Sequence, residues 1–253
     1  MEQCKPVSTP MEAGLQLRKR ETNEKLDKPY RELIGCLTYL MVTSRPDLSA
    51  SVNYFSQFQS NPNEDHWVHA KRILRYLQGT ANHELVYERL TVSDHQVIGF
   101  ADANWATDVN DRRSVSGIQF KLYGATVSWS TRKQSTVSLS STEAECSALA
   151  DAACEAIWIQ KVLGELGVQE GRSPLLYEDN QSTIAIMESA GPSKRLKHTD
   201  IKLHFVRECV AMKKLEVRYI STSEQQADLL TKGLPVMPFR KHCSSIGVFP
   251  RSV

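Results

Sequence analysis

No apolar run in this chain approaches the ~18 consecutive residues that a membrane-spanning helix needs, and the N-terminus lacks the charged, apolar and small-residue regions of a signal peptide. Paired cysteines are missing as well. The six thiols, at positions 4, 36, 146, 154, 209 and 243, include no CxxC pair and no regular spacing. That excludes a disulfide framework and a zinc ribbon, and the thiols are expected to be reduced inside a cell. An excess of one charge sign is lacking too. The 31 Lys and Arg stand against 29 Asp and Glu, a net +2, so any basic surface for a nucleic acid would have to be local. Internal repeats and low-complexity segments are absent. What remains is the composition of a water-soluble globular protein, 41% hydrophobic and 24% charged over 253 residues, long enough for one large or two small domains.

Two halves differ in pattern. Residues 1–28 are polar and without period, an irregular lead-in. "YRELIGCLTYLM", "LSASVNYFSQFQS" and "EDHWVHAKRILRYLQG" follow with helical spacing; "RPD" at 45–47 separates the first two, because the residue before a proline disfavours the α conformation. Near residue 90 the pattern changes. "HQVIGFADANW" alternates as a strand, and "SVSGIQFKLYGATVSWST" reads as a hairpin turning at Tyr123-Gly124. A helix over about 141–166, a strand "PLLYED", a helix "NQSTIAIMES", a helix near 199–213, a strand "EVRYI" and a last helix "SEQQADLLTK" complete the chain. Strands followed by alternating helices and strands predict a mixed α/β sheet flanked by helices.

The chemistry starts from "SLSSTEAECSAL", residues 138–149, with two glutamates two positions apart. Ser140-x-x-Glu143 fits a capping box, and Glu143 shares a polar row with Ser147, Asp151 and Glu155, expected on the surface. Glu145 lies ~200° round the helix, in the row of Ala148, Leu149, Ala152, Ala156 and Ile159 that packs on the sheet. Thr142-x-x-Glu145 fits the box as well, so a capping role for Glu145 stays open. A carboxylate aimed at a sheet needs a partner. Asp102 ends the first strand, Asp179 ends "LLYED" and Asp228 lies in "EQQADLLTK". Singly, each reads as a turn, cap or solvated residue. Gathered within ~5 Å, four carboxylates would repel by about 3 kcal/mol per pair at an effective dielectric of 20. Bound cations make such a cluster favourable, and an all-oxygen set suits Mg²⁺ or Mn²⁺.

The motifs "YRELIGCLTYLMVTSRPDLSASVNYFSQF", "HWVHAKRILRYLQGT", "SSTEAE", "DNQSTIAI", "KHTDIKLHFVRE" and "QQADLLTK" together resemble the Pol polyprotein of copia-type LTR retrotransposons, over nearly the whole chain. The resemblance implies a ribonuclease H-like domain over 93–235, preceded by a helical reverse-transcriptase thumb or connection segment over 29–92 and followed by a tail over 236–253. It implies a chain without the polymerase palm and without integrase. The family's Asp-Glu-Asp-Asp set falls on Asp102, Glu145, Asp179 and Asp228. The implied reaction is hydrolysis of the RNA strand of an RNA–DNA hybrid with two Mg²⁺ ions, Mn²⁺ being possible. Asp102 would bridge, Glu145 and Asp179 would complete one ion's shell, and Asp228 the other's. The implied partners are the hybrid and the remainder of the reverse transcriptase, with no membrane, in the cytoplasm (a virus-like particle) or the nucleus. Two departures stand out: Asn104 where relatives commonly carry a second aspartate, and Cys146 where they carry a tyrosine.

Further residues could touch phosphates: Arg72 and Arg75 on the third helix, Arg112 and Arg113 in "DRRS", Arg132 and Lys133 in "STRKQS", and Lys197, His198 and Lys202 in "KRLKHTDIKLHFVRE". His198 or His204 could assist proton transfer, although a structural histidine is the commoner case. Trp105 and Trp129 are expected in the core, and His66, Trp67 and His69 lack the thiol pair of a zinc site. The helical part is expected to add hybrid affinity without being required for chemistry. Two other readings remain: a non-catalytic nucleic-acid-binding remnant of a truncated or co-opted element, and a transposase or integrase. The acidic order D-E-D-D disfavours the second, which would read D-D-E.

Overall fold

The computed structural model describes residues 3–19, 26–88, 95–168, 171–189 and 200–251. Three helices come first: α1 (Tyr30–Thr43), α2 (Ser49–Ser56) and α3 (Glu64–Gly79), then a short strand β1 (His83–Leu85). α3 begins on a reciprocal cap, in which the Asn63 side chain accepts from the His66 N–H and the His66 ring accepts from the Asn63 N–H. The "RPD" break is more than a stop signal. Pro46 opens a single 3₁₀ turn, and Arg45 grips Asp47 through two bonds of 2.9 and 2.7 Å while the Tyr76 hydroxyl donates to the same carboxylate at 2.6 Å. The pair is buried and fully bonded, the condition under which a buried charge is tolerated.

The sheet is built by β2 (Val97–Asn104), β3 (Val115–Leu122), β4 (Ala125–Lys133), β5 (Leu175–Glu178) and β6 (Glu216–Tyr219), in the order β4-β3-β2-β5-β6. β2, β3 and β4 form an antiparallel meander, whereas β5 pairs parallel to β2 and β6 parallel to β5. The hairpin turns where expected: Tyr123 and Gly124 have φ of 51° and 92°, the left-handed pair of a two-residue loop that matches strand twist. This is the ribonuclease H-like mixed sheet expected of the sequence. One face is covered by α4 (Ser141–Glu165) and α6 (Asp200–Ala211), with α5 (Gln181–Glu188) following β5. The small side chains Ala144, Ala148, Ala152 and Ala156 bring α4 against Ala101, Ala103 and Leu176.

The opposite face receives α7 (Asp228–Thr231), and here the sequence reading is corrected. The single helix expected over 223–232 is broken into a 3₁₀ turn at Thr222–Glu224 and the four-residue α7. Gln225 is the reason: its backbone is extended, and its buried side chain donates to the Ala101 carbonyl at 2.8 Å. The segment 236–253, set apart as a tail, holds α8 (Val236–Ser245) and β7 (Val248–Pro250) in its described part. β7 pairs antiparallel with β1, so this segment closes the helical part. Phe239, Ile246 and Val248 share one core with Met11, Tyr30, Ile34, Phe55, Ile73 and Tyr76, and Leu229 of α7 belongs to the same core. The described part of the lead-in lacks helix and strand but is tied down, with Arg72 donating to the Thr9 carbonyl and Arg75 to the Lys5 carbonyl. Among the described residues no helix is long and apolar enough to cross a membrane.

Candidate active site

Four elements deliver one acidic side chain each to the same end of the sheet. The β2–β5 register pairs Phe100 with Tyr177; extended two residues, it sets Asp179 beside Asp102. Ser140 caps α4 by accepting from the Glu143 N–H at 3.2 Å, which phases the helix so that Glu145 points at the sheet and accepts from the Ala103 N–H. Asp228 opens α7, which lies on β3 because Gly117 leaves the room. A Cβ at Gly117 would meet Thr231 Cγ2 at 2.6 Å and Leu230 Cβ at 2.9 Å, and Gly117 stands opposite Asp102 in the ladder. Thr131 Oγ1 donates to the Leu230 carbonyl at 2.8 Å, and the Thr231 hydroxyl donates to Asp102 Oδ2.

Oxygens of Asp102, Glu145 and Asp179 lie within 4.8 Å of one another. Burial is the main cause of raised pKa values throughout. Asp102 is pushed up to about 6 by burial, against which Lys232 pulls down and Asp228 pushes up. Glu145, 6% exposed, is pushed up to about 11 by burial and then by Asp102, Glu178 and Asp179. Asp179 and Asp228 are raised from the usual carboxylate range, again by burial first. Glu145 Oε2 is buried without a hydrogen-bond partner. An all-oxygen set of this size, with one acceptor left unused, fits a hard divalent cation. Asp228 stands apart from that trio: its charge helps to raise Asp102, and its Oδ1 lies 2.6 Å from Lys232 Nζ.

Several expectations are corrected by the packing. Glu143 is not a surface residue; it is 6% exposed, and its Oε2 accepts from the Leu139 N–H at 2.6 Å, one residue beyond the Ser140 of a standard box. Trp105 is not in the core. It is 45% exposed, with its indole N–H held by the Ser138 carbonyl at 3.0 Å. Trp129 is half-buried and donates to the Met41 carbonyl. Asn104 donates its amide to the Thr231 carbonyl at 3.4 Å, a bond that an ionised aspartate could not supply. Cys146 is buried against Leu203, Ile186 and Met187.

The basic residues are less concentrated than the acidic ones. Arg72 and Arg75 spend donors on the lead-in, and Lys133 pairs with Asp108 and Asp111 and donates to Gln57. Lys202 pairs with Asp151 of α4 at 3.6 Å. Arg112, Arg113 and Arg132 are exposed. Lys197 and His198 lie outside the described residues; His204 is exposed. Two residues of the site were missed in the sequence. Glu178 is 0% exposed, and its pKa is raised well above the ordinary value by burial; its two-residue spacing from the buried Leu176 was the available signal. Lys232 is the other. It lies one helical turn from Asp228, a spacing that pairs opposite charges.

No protein-family model matches the chain. The chain is 38% identical over 242 residues to the retrovirus-related Pol polyprotein from transposon TNT 1-94 of Nicotiana tabacum, covering 93% of this chain and 18% of that protein. It is 41% identical over 248 residues to the retrovirus-related Pol polyprotein from transposon RE1 of Arabidopsis thaliana, covering 97% of this chain and 17% of the other. The chain thus spans under a fifth of the length of these relatives. Among solved structures, LC11-RNase H1 in complex with an RNA/DNA hybrid superposes with a TM-score of 0.41 at 16% identity, covering 53% of this chain and 93% of that one.

Proposed function

Since the chain belongs to the Pol polyproteins of copia-type retrotransposons, we propose that it hydrolyses the RNA strand of RNA–DNA hybrids, as the ribonuclease H part of such a polyprotein. The observation that carries this reading is the trio Asp102, Glu145 and Asp179, whose oxygens converge within 4.8 Å around an unused buried acceptor. Bound Mg²⁺ or Mn²⁺ would supply an activated water and charge neutralisation at the leaving 3′ oxygen. The chain's own residues do the rest. Asp102, held by Thr231, presents the central carboxylate; Glu145 and Asp179 flank it from α4 and the end of β5; Asp228 faces it from α7. The backbone around the site is sewn to the sheet by the Gln225 and Thr131 bonds, so the acids are preorganised. Selectivity for RNA would rest on contacts to 2′-hydroxyls, which DNA lacks. The partners that go with this reading are the hybrid and the remainder of the reverse transcriptase, inside the cell.

The test is cleavage of a labelled RNA–DNA hybrid, with duplex DNA as control. Cleavage of the hybrid alone is expected in Mg²⁺ or Mn²⁺, with none in EDTA. Ca²⁺ should support binding without cleavage, because its loose coordination is a poor activator of water. Full activity in EDTA would overturn the metal-dependent reading. Metal-independent hybrid binding with no cleavage in any ion would favour a non-catalytic remnant.

A further inference from the structure

Two ions sharing four carboxylates would need Asp102 between them, one ion toward Glu145 and Asp179 and the other toward Asp228. The first position is open to a cation. The second is held by a side chain. Lys232 Nζ lies 2.6 Å from Asp228 Oδ1 and 3.9 Å from Asp102 Oδ2, so the ammonium sits between the two carboxylates that a second ion would have to share. Its tether is short, since Lys232 follows Asp228 by one helical turn. The next residue is pinned from behind: a Cβ at Gly233 would meet the Glu12 carbonyl of the lead-in at 2.6 Å. The Lys232 side chain is 33% exposed, and it lines a cavity of about 260 Å³ with Asn104, Asp108, Tyr54 and Met11. That space gives the stem room to swing off Asp228.

We propose that Lys232 is a tethered cation occupying the second ion's position, so that the substrate-free protein takes up one divalent ion, at Asp102, Glu145 and Asp179. The second ion enters only as the ammonium leaves Asp228. This inference rests on the proposed function, because it takes the trio to be a metal site. The physical basis is charge: a fixed +1 close to Asp228 repels an arriving cation and uses the oxygen it needs. Freed of the ammonium, Asp228 and Asp102 have the hard oxygen donors that Mg²⁺ and Mn²⁺ prefer.

The test needs neither substrate nor activity. Mn²⁺ is titrated into the nucleic-acid-free protein, and the free ion is read by electron paramagnetic resonance, for wild type, Lys232→Met and Lys232→Arg. Circular dichroism checks that each is folded. Wild type and Lys232→Arg are expected to bind one ion, and Lys232→Met a second, with affinity raised about tenfold or more by loss of a charge-assisted contact. Two ions of equal affinity on the wild type would overturn the role of Lys232 and leave the trio intact, even if Lys232→Met did not fold. A Lys232→Met protein that still binds one ion would overturn it as well. A wild type that binds no ion would instead overturn the reading of the trio.

Discussion

Glu143 and Glu145 are both buried, yet their partners differ in a way that separates their roles. Glu143 accepts a backbone N–H at the start of α4. Glu145 faces other carboxylates and has one oxygen unused. Both Asp102, at about 6, and Glu145, at about 11, titrate above their ordinary values. The fold therefore favours their protonated forms. That stabilisation is full below the unfolded carboxyl range of ~4 and is lost as pH rises through the folded values. Metal-free protein is thus expected to lose thermal stability from about pH 4 toward about pH 11, most steeply up to about pH 6 where both groups contribute, and calorimetry in EDTA measures this. Glu145→Gln should flatten the loss, raise the midpoint at the alkaline end and reduce cleavage by orders of magnitude. Glu143→Gln should leave both near wild type, because the amide oxygen still accepts from Leu139. An inactive Glu143→Gln beside an active Glu145→Gln would assign the two glutamates the other way round.

At the scale of elements, α7 is the weak member. Four residues cannot hold a helix alone, so the position of Asp228 comes from what surrounds α7. Leu229 and Leu230 are buried, Thr131 bonds the Leu230 carbonyl, and Gly117 lets the helix lie on β3. Gly117→Ala drives a methyl into Thr231 and Leu230. The expected result is a stability loss of about 1–3 kcal/mol, the usual cost of overpacking, seen as a lower denaturant midpoint. Cleavage should fall more steeply than stability, because Asp228 moves, whereas ion binding at the trio should persist. Wild-type cleavage in Gly117→Ala would show that the placement of α7 is not critical.

Across the whole molecule, one hydrophobic core runs from the lead-in through the three N-terminal helices to α8, β7 and Leu229. Trp129 and Asn53 add hydrogen bonds between the helical part and β4. The expectation that the helical part adds only hybrid affinity does not fit this packing. A chain beginning at residue 93 would strip Leu229, Phe239 and Val248 of their partners and leave β7 without β1. Burying a single large apolar side chain contributes about 1.5–3 kcal/mol, and stabilities of whole domains are only about 5–15 kcal/mol. Such a chain is expected to lose its cooperative melting transition and its cleavage together, as circular dichroism and the hybrid assay would record. Retention of both at wild-type level would show that residues 93–251 are independent of the helical part.

What the sequence determined by itself was local: the phase of α4 from Ser140, the turn at Tyr123-Gly124 and the alternation that aims Asp102. Each depends on backbone periodicity or on a turn residue, and both act over a few positions. The ends of α4 and β5 were legible for the same reason. Tertiary structure alone decided that Glu143 is covered and Trp105 is not, since a helix phase says which way a side chain points and not what lies over it. It also decided that Gln225 interrupts the last helix, by reaching a carbonyl 124 positions earlier in the chain. Lys232 shows the limit most clearly. Its spacing from Asp228 is written in the sequence, but its approach to Asp102, across 130 positions, exists only because Gly117 lets α7 close on the sheet, and a contact of that kind has no local signal.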